Sequence, residues 1–284
     1  MPTERLAVRK TYKLFIGGAF PRSESGRSYP VTSTAGDFLA NAALASRKDV
    51  RDAVRAARAV FGRWSGATAY NRGQILYRIA EMLEGRRAQF LDEVRLSEGD
   101  GAESTVDEAI DRWVWYAGWA DKIAQTYGNA NAVAGPYFNL SAPEPTGVVG
   151  IVAPADSSLL GLVSVLAPVI VTGNTAVVLA APDRPLPAVT LTEVLATSDL
   201  PGGVVNLLTG RPAELAPWLA GHLDVNALDL TGVADPGLRA DLEREAAANL
   251  KRVPRLPADW AADPGTARMT AFLEIKTVWH PKGV

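Results

Sequence analysis

Few side chains in this sequence are equipped for covalent chemistry. Cysteine is absent from all 284 residues, which removes thiolate nucleophiles, thiolate metal sites and disulfides. Two histidines, His222 and His280, leave little for zinc chemistry or a Ser-His-Asp triad. His280 follows Trp279 near the end of the chain and reads as a surface residue. Asp224, Asp229, Asp235 and Asp241 could tempt a metal reading. They read as loop and helix-start residues, where aspartate caps amides and suits the helix dipole, so no metal site is expected. Arg51, Arg55 and Arg58 share one helix face, and Arg86 and Arg87 adjoin the next helix; both groups read as solvated or salt-bridged. Trp113, Trp115 and Trp119 share another helix. Trp115 falls off its apolar stripe and marks a candidate interface.

These groups sit on a regular succession of elements. Residues 1–11 read as a flexible arm. Leu14, Phe15 and Ile16 before Gly17 and Gly18 read as a strand and turn, with residues 28–32 as the strand's partner. Ser46 and Asp49 resemble a capping signal for a helix carrying Val50, Ala53, Val54, Ala57 and Phe61. Helices follow over 74–83, 86–96 and 105–123. From residue 147 the pattern becomes strand 148–152, helix 159–171, strand 176–179, helix 188–196, strand 204–208, helix 213–220, strand 227–230 and helix 236–249. Such alternation predicts a doubly wound parallel α/β sheet, and runs apolar on both faces suit strands covered on both sides. Residues 254–268 read as a linker, and 270–279 as a half-exposed strand paired with 137–141.

Bulk properties narrow the function classes. Hydrophobic residues are 48% and charged residues 21%, an ordinary globular composition. A net charge of -2 argues against nucleic acid as partner. Met1, Pro2, Thr3, Glu4 and Arg5 do not form a signal peptide. Residues 157–182 carry no charge, but Pro168, Gly173 and Asn174 interrupt them. A buried helix feeding a buried strand explains the stretch better than a membrane span, and a cytoplasmic location is the default expectation.

Several segments, in order, resemble the aldehyde dehydrogenase superfamily. They are Leu14 to Gly18, Tyr116 to Ile123, Glu144 to Gly150, Gly173-Asn174-Thr175, Gly203 to Asn206 and Asn249 to Val253. Glu274 to Trp279 is similar to that family's C-terminal oligomerisation strand. The resemblance implies a Rossmann-like fold with an N-terminal helical layer and a small protruding antiparallel oligomerisation sheet. It divides the chain into an N-terminal helical part (1–134), bridging strands (135–146 with 268–284), an α/β core (147–253) and a linker (254–267) where the family has its catalytic domain.

Departures from the family pattern bear on chemistry. After the first strand the family has Pro-Trp-Asn-Phe-Pro, whose Asn donates to an oxyanion. Here Ala153 leads into Pro154, Ala155, Asp156, Ser157 and Ser158, and a carboxylate at Asp156 opposes developing negative charge. Leu179 and Pro182 replace the family's ribose-binding Lys and Glu. The Phe-Thr-Gly-Ser turn before a pyrophosphate-facing helix reads Leu230, Thr231, Gly232 and Val233, with Gly237 at the matching spacing. Gly232 still permits close backbone approach, and a helix N-terminus still attracts anions; a tight strand-to-helix turn explains the segment equally well. Leu256 takes the place of the general base. Ala153, Pro154, Asp156, Thr231, Gly232, Val233 and Gly237 thus form a vestigial cofactor site with no catalytic residue. The expectation is no bound cofactor, with weak NAD(P) binding as the remaining option. Three functions stay open: a pseudoenzyme subunit docking on a full-length aldehyde dehydrogenase paralogue or on itself through 135–146 and 270–280, a nucleotide-sensing module, and an NAD(P)-dependent oxidoreductase borrowing a partner's cysteine.

Overall fold

The structure is a computed structural model describing residues 10–283. Most of the arm expected over 1–11 lies outside the described residues; Lys10 is described and reaches Glu193 at 2.7 Å. Strands β1 (Ser28–Thr32) and β2 (Phe38–Ala43) form an antiparallel pair. This corrects the expectation that residues 28–32 pair with Leu14 to Ile16. The latter segment instead joins the large sheet's edge, with Phe15 N donating to Leu207 O at 2.9 Å and Leu207 N returning to Phe15 O at 2.7 Å. The Gly17-Gly18 turn is as expected, both residues having positive φ.

Helix α1 (Arg47–Ser65) starts on the predicted capping box, in which Ser46 accepts from Lys48 N and Asp49 accepts from Ser46 N. Helices α2 (Ala69–Glu84), α3 (Arg87–Glu98), α4 (Ala102–Trp119) and α5 (Ile123–Tyr127) follow. Trp115, the candidate interface residue, is half-buried; its ring meets Tyr116 at 4.8 Å and Trp119 at 5.6 Å. Arg58 is not merely solvated, because it donates to Asn226 Oδ1 and the Asp224 carbonyl. Strands β3 (Asn129–Asn131) and β4 (Tyr137–Pro145) come next.

The core alternates β5 (Val148–Val152), α6 (Leu160–Val171), β6 (Thr175–Leu179), α7 (Leu186–Ala196), β7 (Val205–Leu208), α8 (Pro212–Ala220), β8 (Ala227–Asp229) and α9 (Pro236–Ala247). The four strands are parallel in the order β7-β6-β5-β8. Period-two alternation splits their side chains between two cores. Val149, Ile151, Ala176 and Val178 face α6, α7 and the α2–α4 layer, whereas Val148, Val152, Val177 and Leu179 face α1, α8 and α9. No described helix is long and apolar enough to cross a membrane. Buried asparagines fasten the loops. Asn174 accepts from Gly147 N at 2.7 Å and donates to Phe272 O at 2.8 Å; Asn206 accepts from Gly17 N at 2.9 Å. The chain closes with α10 (Ala267–Ala271) and β9 (Leu273–Pro281), which pairs antiparallel with β4. The resulting sheet is β3-β4-β9, its short third strand unannounced by the sequence.

One buried carboxylate ties α3 to α7 and the N-terminal segment. Glu93 Oε1 accepts from Thr190 at 2.8 Å and Tyr12 at 3.1 Å, while Oε2 has no partner. Burial pushes the Glu93 pKa up, against the hydrogen bonds and the Lys10 charge. A raised carboxyl pKa means that the native state holds its proton more tightly than the unfolded chain. Glu93 therefore contributes stability fully below its ordinary value of 4.5 and loses it as pH rises through the folded value. Glu93→Gln should gain on the parent protein as pH rises from 4.5 through the folded value and level off above it, measured by urea denaturation across a pH series. A difference that stays constant with pH would contradict this.

Candidate functional site

The order of the parallel strands sets the site. Successive units step from β5 to β6 to β7, and the chain then returns to place β8 on the other side of β5. The two diverging connections leave a crevice beyond the carboxyl ends of β5 and β8, where open α/β sheets bind their ligands. The chain after β5 carries Ala153, Pro154 and Asp156, and the chain after β8 carries Thr231, Gly232 and Val233. All six stand at this edge, and Gly237 lies one step on, in the first turn of α9.

Their polar groups are largely engaged within the chain. Gly232 N donates to Val152 O at 3.0 Å, and a Cβ on Gly232 would stand 2.0 Å from the Ala153 carbonyl oxygen. Glycine is required here by the neighbouring backbone. Ala153 N is bonded to Leu179 O at 2.9 Å. Pro154 is buried against the start of α6, and Val233 is buried in the core shared with α8 and α9. Thr231 donates through N and Oγ1 to Asp229 Oδ1. Gly237 N, a candidate anion donor, is taken by the Asp235 carboxylate at 2.8 Å, and Pro236 before it has no N–H to offer. The start of α6 is equally occupied: Glu98 accepts from Ser158 N at 2.5 Å, and Ser157 Oγ accepts from Gly161 N at 2.9 Å.

Loop and cap roles hold for two of the four aspartates and need correcting for the others. Asp235 caps α9 and Asp224 lies in a loop, but Asp241 is inside α9, bonded to Arg244 at 2.6 Å. Asp229 ends β8 with its side chain only 1% exposed, and it pairs with Arg268 at 2.6 Å. Arg268 stands at the end of the expected linker, yet it is buried, reaches Thr231 Oγ1 at 3.3 Å and donates to Pro257 O at 2.7 Å. Trp260 lies with its ring 5.4 Å from that guanidinium, and its Nε1 is 3.3 Å from both Asp156 oxygens. Arg112 of α4 holds the same segment, donating to Trp260 O at 2.9 Å and Ala262 O at 3.1 Å, and to Ser164 Oγ at 2.6 Å. Residues 257–268 therefore form a strap across the crevice, touching Asp156 through Trp260 and Thr231 through Arg268. A signal for it existed: a carboxylate in an apolar parallel strand demands a buried cation.

A parallel sheet whose strand order reverses beside a glycine turn defines a Rossmann-like, nucleotide-binding-type α/β fold. The aldehyde dehydrogenase family model matches residues 20–254, and this chain belongs to that family. Retinal dehydrogenase 2 of Homo sapiens is 33% identical over 262 residues, which are 89% of this chain and 49% of that protein. HpcC from Thermus thermophilus superposes with a TM-score of 0.80 at 31% identity, covering 86% of this chain and 47% of that one. The aldehyde dehydrogenase from Bacillus cereus in its NAD+ complex gives 0.79 at 26% identity, covering 86% and 50%. The chain thus spans about half the length of these three relatives.

Gly232→Ala tests whether that glycine serves packing. Overpacking against a backbone carbonyl should destabilise the protein by about 2 kcal/mol in chemical denaturation, with no nucleotide present. An unchanged stability would return Gly232 to a ligand-facing role.

Proposed function

We propose that this chain is an aldehyde dehydrogenase-like pseudoenzyme, a non-catalytic structural or regulatory subunit that assembles with a full-length aldehyde dehydrogenase through residues 135–146 and 270–280. The observation that carries the reading is the outer sheet. Among its side chains Phe138 is 56%, Ile275 56% and Trp279 57% exposed, with Tyr137 and Leu140 also open to solvent. β9 has β4 on one side and no described strand on the other. Exposed aromatics beside an open strand edge are costly in a free chain and useful in a complex. Assembly of this chain with itself through the same surface is the second form of this reading.

The site supports the absence of chemistry. Asp156 supplies a carboxylate where the family resemblance calls for a donor, and Leu256 offers no base. The chain has no cysteine to act as nucleophile. A dinucleotide does not fit the residues present. Leu179 and Pro182 cannot bond ribose hydroxyls, Asp235 occupies the α9 amide and repels a pyrophosphate, and Trp260 and Arg268 stand in the crevice.

Two measurements test the reading. Titration calorimetry with NAD and NADP should give no heat at millimolar cofactor; saturable binding would favour a nucleotide-sensing module. Co-expressed with a full-length aldehyde dehydrogenase from the same source, the chain should co-purify as a defined complex. Trp279→Glu or Ile275→Glu should weaken that complex by about 2 kcal/mol or more, as loss of a central apolar anchor does. A monodisperse monomer that captures no dehydrogenase would sink the proposal.

A further inference from the structure

We propose that the strap is a built-in occupant of the switch-point crevice, and that its Arg268 anchor holds the outer strand β9 in place. Asp156 and Asp229 stand along the crevice, and the charge that meets the buried Asp229 is a guanidinium from the chain's own strap. Arg184 and Arg239 bond only backbone carbonyls of the same two loops. Five groups converge on the arrangement. Arg268 pairs with Asp229, bonds Pro257 O and lies beside the Trp260 ring, Trp260 reaches Asp156, and Arg112 grips the carbonyls of Trp260 and Ala262.

The strap leads directly into β9. Met269 and Phe272, on the turn after Arg268, are fully buried, and Phe272 O accepts from Asn174 Nδ2 at 2.8 Å and Thr146 N at 3.2 Å. At the strap's other root, Arg252 grips Glu274 of β9 through two bonds of 2.8 and 2.6 Å. Both ends of the strap are thus fastened to the first residues of β9. Beyond Leu273 every residue of that strand is exposed, so its placement depends on this root and on pairing with β4. Release of Arg268 would strand a buried carboxylate, free α10 and loosen the start of β9 together. The crevice and the outer sheet are then two ends of one coupled element. This holds whether or not the chain assembles with another.

Amide hydrogen exchange on the 284-residue chain tests it. Arg268→Ala should raise exchange across 255–271 and at β9 by about tenfold or more while β5, β6 and β7 keep their protection. Millimolar guanidinium chloride should restore protection to both segments, and equal sodium chloride should not. Unchanged exchange in the strap, or a loosened strap beside a fully protected β9, overturns the proposal. Trp260→Ala leaves the buried ion pair intact and serves if the first variant does not fold. It should speed exchange over 257–263, and exchange there equal to the parent's would equally overturn it.

Discussion

A carboxylate at the end of a buried parallel strand is the constraint around which the carboxyl-terminal third is arranged. Asp229 is 1% exposed, and an unpaired charge there would cost several kcal/mol. Thr231 satisfies one oxygen and Arg268 the other. To deliver Arg268, the chain after Arg252 must cross the top of the sheet, which puts Trp260 over Asp156 and brings Phe272 to Asn174. The root of β9 sits beside these contacts and beside Arg252, which bonds β8 through its backbone and Glu274 through its side chain, while the rest of the strand is held by its pairing with β4.

The same arrangement explains why the family fold and the proposed loss of chemistry coexist here. The groups that hold the fold are backbone and amide contacts below and within the sheet: Asn174 on Gly147, Asn206 on Gly17, Asn226 on Val148. None needs a ligand. The groups at the carboxyl ends have meanwhile turned inward. Val233 packs in the core, Asp235 serves its own helix, Glu98 serves α6, and Trp260 takes the Asp156 carboxylate. A site can lose its donors without disturbing the sheet below it, because strand pairing and helix packing are satisfied independently of what lies above.

The parallel core was legible in the sequence because its strands are largely apolar on both faces and proline, glycine or a cap marks the helix boundaries. The β4–β9 pairing was legible from alternation in the tail. The partner of β1 was not: β2, Phe38–Ala43, contains Asn41 and three alanines and lacks a strong strand signature. β3 is three residues, two of them asparagine, and forms only because β4 offers an edge. Of the seven site residues that the resemblance implies, six stand at one edge of the sheet and Gly237 one step on, yet the strap over them escapes a sequence reading. Proline, aspartate and glycine make 254–268 look like solvent-exposed linker, and nothing local marks Arg268 as the buried cation. Only Asp229, set in an otherwise apolar strand, hinted that such a partner existed.

The edges of the large sheet are both closed. Phe15 bonds across β7, and the Arg252 carbonyl accepts from Leu228 N beyond β8. In the outer sheet, β3 is too short to template a long neighbour, which leaves the nine residues of β9 as the long open edge of that sheet. Such an edge has a valence of one. If the strand that adds is β9 of a second copy, the edge is used up on both chains at once, so that isologous pairing ends with the second chain and does not run on into a filament.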